Sequence, residues 1–179
     1  DRLARLLNAT LRSAEALDML TRAISTYERA PDVETSLRRA SCHSRRGDLH
    51  YAAERYAEAE VDFHRAYELF SQRLDSTRPE LPRTALRLAK TLEAQEKLPG
   101  AVEQYRLALE LFRTQGEDEN SDASFALNRL AQLVQRRDGP AAVAELYAED
   151  REHRTERFGI VFGERWTLRF FEVAELDEG

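Results

Sequence analysis

A recurrence of about 42 residues constrains this chain more than any other feature. The small residues Ala4, Gly47, Ala89 and Ala131 are spaced 43, 42 and 42 apart, and Ala174 follows 43 later. Ala16, Ala59, Ala101 and Val143 each fall 12 residues after the small residue. Four further on stand Leu20, Phe63, Tyr105 and Tyr147, and three after those Ala23, Ala66 and Ala108. Asp150 breaks the last series, which suggests a one-residue slip of register through Ala142. A chain that repeats at this period stacks like units instead of closing around a single core.

Within a unit, a small residue, a large one four on and a small one three further form a stripe along a helix. Two such stripes 12 residues apart describe an antiparallel helix pair. Small residues allow close backbone approach, and an aromatic fills the space beside them. Leu98-Pro99-Gly100 and Asp138-Gly139-Pro140 are expected at the hairpin reversals. Pro31-Asp32, Pro79 with Pro82, Gly116 to Asp122, and Gly159 with Gly163 are expected to end helices between units. The reading is one domain over 1–179, with units near 1–36, 37–80, 81–122 and 123–163 and a partial or capping fifth at 164–179. The second unit departs most, with His43, Arg46 and His50 at positions expected to be apolar. Its helix is expected to rely on Leu49, Ala53 and Tyr56, shifted by a residue.

Leu88, Ala89, Ala101, Tyr105 and Ala108, with their equivalents, resemble the tetratricopeptide repeat family. The unit is longer than that family's usual ~34 residues, and in this it is similar to the long repeats of kinesin light chains. The segment ERFGIVFGERWTL, Glu156 to Leu168, is similar to the connector of those repeats. The resemblance implies an all-α fold, a right-handed α-solenoid of stacked antiparallel helix pairs, with the first helix of each pair lining a concave groove. It also implies a non-catalytic protein–protein interaction scaffold or adaptor that holds a partner segment in that groove.

Composition narrows the alternatives. The net charge is −6, which argues against a general nucleic-acid binder, because neutralising phosphates needs surplus positive charge. One cysteine, Cys42, excludes an intrachain disulfide and a multi-cysteine zinc site. No apolar run approaches the ~20 residues of a membrane span. An intracellular protein of cytoplasm or mitochondrial matrix is expected. His43, His50, His64 and His153 form no HExxH motif. Asp118, Asn120 and Asp122 begin like a calcium loop, but Ala123 and Arg129 stand where Gly and a bidentate Glu are required. That stretch reads as an inter-repeat loop in which Ser121 or Asp122 caps the next helix. No enzyme activity, cofactor or metal is expected.

All but two of the 27 basic residues are arginine, the exceptions being Lys90 and Lys97. Arg2, Arg45, Arg87 and Arg129 each stand two residues before the small residue. Two residues turn a helix by about 200°, so these side chains face away from the hairpin partner, toward the groove. Arg5, Asp48, Lys90, Glu93, Asn128 and Arg136 are neighbouring groove positions. Such a groove would steer an acidic, extended segment. The alternative is that the arginines are solvated or paired with Asp and Glu of the next repeat. A second function class is a structural subunit, or homo- or hetero-oligomerisation through the aromatics Phe158, Phe162, Trp166, Phe170 and Phe171. An uncovered solenoid end of that kind is adhesive.

Overall fold

The structure is a computed structural model. It describes the backbone of residues 2–29, 32–73, 79–116 and 120–158, with side chains over 12–29, 32–72, 79–116 and 120–153. Seven helices follow one another there: α1 (Arg2–Glu28), α2 (Val33–Ala52), α3 (Tyr56–Arg73), α4 (Glu80–Ala94), α5 (Leu98–Gln115), α6 (Ser121–Asp138) and α7 (Pro140–Phe158). Among the described residues there is no strand. The chain divides into two compact units, 1–133 and 134–179. In the first, α1 packs on α2, α2 on α3, α3 on α4 and α4 on α5. This is an α-solenoid of stacked antiparallel pairs, as the repeat implies.

The hairpins turn on left-handed residues. Glu54 (φ 59°) joins α2 to α3, and Glu96 (φ 60°) joins α4 to α5. Gly139 (φ 87°) separates α6 from α7. Glu96, not Leu98-Pro99-Gly100, therefore makes the second reversal. Pro99 sits in the first turn of α5, where a missing N–H costs nothing because that donor has no intrahelical partner. The first expected unit, 1–36, has no reversal between its two stripes. Residues 2–28 form one continuous helix, since Leu6 to Ser13 offers no Gly or Pro to break it.

Helix starts follow side-chain capping. Asp32 caps α2, accepting from the Thr35 N–H at 2.7 Å, while Thr35 Oγ1 accepts from the Asp32 N–H at 3.0 Å. Asn120, not Ser121 or Asp122, caps α6 by accepting from the Ala123 N–H at 2.8 Å. It lies one residue outside the helix, where a side-chain oxygen can reach the free N–H groups of the first turn.

The core repeats with the sequence. Ala59, Phe63 and Ala66 on α3 and Ala101, Tyr105 and Ala108 on α5 are all buried. Phe63 fills the space left by the facing Gly47. A Cβ built on Gly47 would lie 2.8 Å from the Phe63 ring. That contact holds α2 in the same register as α4, so the expected one-residue shift of the second unit does not occur. Ala53 is exposed and Leu49 and Tyr56 are only half-buried. In the second compact unit Leu146 is buried while Tyr147 is 43% exposed, the slip that Asp150 suggests.

Candidate functional site

The first helices of adjacent pairs, α2, α4 and α6, carry the residues singled out by the repeat. Arg87 Nε lies 2.9 Å from Asp48 Oδ1, so α4 reaches back to α2. Arg129 donates to both carboxylate oxygens of Glu93, tying α6 to α4, and its Nη1 donates to Gln132 Oε1 at 2.7 Å. Arg83 Nε lies 3.6 Å from Asp122 Oδ2. Two rungs of the arginine series thus pair with acids of the preceding repeat. Burial raises the Asp48 carboxyl pKa against the pull of Arg87. The Glu93 bond strengthens the hold of Arg129 on its proton.

Beside these pairs is an open concavity of about 600 Å³ lined by Tyr51, Lys90, Glu93, Tyr105, Phe125 and Arg129. Lys90 Nζ lies 4.1 Å from the Phe125 ring centroid, a cation–π contact. Burial pushes the Lys90 ammonium below the usual lysine range; Asp122 opposes this and Arg87 adds to it. Tyr51 and Phe125 are large apolar side chains left exposed here. Tyr105 reaches the floor, fully buried, and donates to Glu93 Oε2 at 2.8 Å. Burial, reinforced by Glu93, holds its phenol far above the ordinary pKa. The wall offers aromatic faces, one partly desolvated ammonium and a guanidinium already bound to a carboxylate. No nucleophile–base pair lines it.

Arg45, Arg87, Lys90, Asn128 and Arg129 lie on these three helices, with Arg45 and Asn128 exposed. Arg136 is exposed in the second compact unit. Arg2 lies in α1, with its side chain outside the described residues. Phe158 closes α7; its side chain, and Phe162, Trp166, Phe170 and Phe171, also lie outside them.

A second polar constellation lies inside the α2–α3 pair. Asp62, 2% exposed, accepts from Arg46 Nη2 at 2.7 Å and from Arg46 Nε at 2.8 Å. His43 Nδ1 lies 2.8 Å from its Oδ1, and His50 Nε2 3.7 Å from its Oδ2. Burial works against the carboxylate, yet the His43 and Arg46 bonds hold its pKa below the ordinary value. Sequence reading marks His43, Arg46 and His50 as misfits and misses Asp62. The signal is present: three polar residues at positions where the next repeat has Ala85, Leu88 and Leu92, and an acid on the following helix, beside Phe63. It also misses Tyr51 and Phe125 as groove aromatics, because neither falls on a signature position.

Among the described residues no group of three or more His, Cys, Asp or Glu is placed to hold a metal ion. No described helix is long and apolar enough to cross a membrane.

The tetratricopeptide repeat family model matches residues 32–114. No curated protein matches the chain. Among solved structures, the chain is similar to a Podosopora anserina protein assigned as a kinesin light chain with nearly identical TPR-like repeats. A point variant of that protein shares 18% identity over 88% of this chain and 74% of that one, with a TM-score of 0.60. A second crystal structure of the protein gives 18%, 87% and 73%, again at 0.60. BtubC (BKLC) from P. vanneervenii shares 19% identity over 80% of this chain and 57% of that one, with a TM-score of 0.57. Residues 32–114 thus match tetratricopeptide repeats, and the fold of the chain is the one that kinesin-light-chain-type repeats adopt.

Proposed function

We propose that the chain is a non-catalytic scaffold that binds an acidic, extended protein segment along the face formed by α2, α4 and α6. Tetratricopeptide repeats are in general protein–protein interaction scaffolds and typically non-catalytic. One observation carries the finer reading: the concavity lined by Tyr51, Lys90, Phe125 and Arg129. Lys90 and the exposed Arg45 supply positive charge on a chain whose net charge is −6, so attraction to an acidic segment is local and directional. Tyr51 and Phe125 offer flat apolar surface at little entropic cost. Arg87 and Arg129 serve two roles, tying adjacent repeats and presenting their outer N–H groups to a carboxylate.

The test is a peptide array of acidic, neutral and basic extended sequences against the wild type, Lys90→Glu and Phe125→Ala. Acidic sequences should bind preferentially and weaken with salt. Each variant should lose about tenfold, the worth of one contact of about 1.4 kcal/mol. Equal binding across the three charge classes would reject the acidic partner. Unchanged binding by both variants would reject this face.

A further inference from the structure

The third repeat gives a reference for the second. His43, Arg46 and His50 correspond, 42 residues on, to Ala85, Leu88 and Leu92, all buried. The fold therefore needs no polar group at these positions. In the second repeat they surround one carboxylate, Asp62, at a place where buried ion pairs usually cost as much desolvation as they return. The set has no excess capacity. Asp62 and Arg46 neutralise one another, Arg46 Nη1 also donates to Thr21 Oγ1 of α1 at 3.2 Å, and His50 Nδ1 is buried with no hydrogen-bond partner.

We propose that the His43–Arg46–His50–Asp62 cluster is a proton-sensitive joint, in which protonation of His50 in mildly acidic solution loosens α1, α2 and α3 from one another while the α4–α5 pair stays closed. A second ring proton on His50 would place a charged N–H where no acceptor reaches it. It would also bring a second cation beside Arg46. Every element packed on the site adds its charges. From α1, Glu28 acts on Arg46; from α2, Cys42 lies near Arg46; from the α2–α3 turn, Arg55 opposes the charged imidazole; from α3, Asp62 and Glu58 favour it. Burial dominates, and the His50 pKa lies below the ordinary histidine value of 6.5. The unfolded chain then binds more protons than the folded one, so stability present above that value is lost as pH falls through it. Asp62, with its lowered pKa, stays ionised through this window.

The experiment is hydrogen exchange of the full chain at pH 7.5 and 5.5, corrected for intrinsic rates, comparing peptides of 33–73 with peptides of 80–115. Exchange in 33–73 should rise relative to 80–115, with a ceiling of about tenfold per pH unit for one proton. His50→Leu, which copies Leu92, should abolish the difference, and His50→Gln does the same job if the leucine variant fails to fold. Equal pH responses of the two segments, or a response that survives in the folded variant, would overturn the proposal.

Discussion

The α2–α3 and α4–α5 hairpins share a backbone plan and have opposite interiors. Both turn on a left-handed glutamate, and both bury an aromatic that stands between two buried alanines of the second helix. In α4–α5 the remaining space is filled by Ala85, Leu88 and Leu92. In α2–α3 the same space holds an ion pair and two imidazoles around Asp62. Ala and Leu pack in many near-equivalent ways and tolerate change. The polar set tolerates little change, because His43 and Arg46 both depend on the one carboxylate of Asp62. Apolar filling supplies stability to the stack, and the polar filling makes one joint responsive to its surroundings.

The sharpest break of this comparison is Asp62→Ala beside Gln104→Ala, its counterpart 42 residues on. Removing Asp62 strands Arg46 and His43, and should cost about 3 kcal/mol or more by urea unfolding. Half-buried Gln104 should cost well under about 1 kcal/mol. Equal costs would mean that the buried cluster is not a unit.

Gly47→Ala should follow. The new methyl meets the Phe63 ring at 2.8 Å, and overpacking of this kind costs about 1–3 kcal/mol. A thermal melt at or above the wild-type value would show that α2 can move away from α3 without loss.

The smallest effect belongs to the outward pairs. Arg87→Ala removes the Asp48 bond, but both side chains are over a third exposed, so about 0.2–1 kcal/mol is expected. A larger loss in a denaturant titration would make the arginine series a structural device before a binding one.

Much of this was legible in the sequence because the repeat samples each position several times. Ala89, Ala101, Tyr105 and Ala108 fix the register of a helix pair by size alone. Size does not specify turns: Glu96 adopts a left-handed conformation without the glycine that would announce it. Nor does it reveal where a series stops, as in α1, whose two stripes run on one unbroken helix. Charge was the least legible. The spacing of Arg87 and Arg129 gave their face but not their partners, since Asp48 and Glu93 reach them only once neighbouring repeats stack. Asp62 was hidden because it meets His43, 19 residues away along the chain, only once the α2–α3 hairpin closes.

The central claim, that the α2–α4–α6 face receives an acidic segment, is tested most directly by titrating an acidic peptide into the labelled chain and following amide chemical shifts. The account predicts shifts clustered at Tyr51, Lys90, Glu93, Phe125 and Arg129. Shifts clustered instead on the solvent side of α3 and α5, or none at a peptide excess that saturates binding, would contradict it.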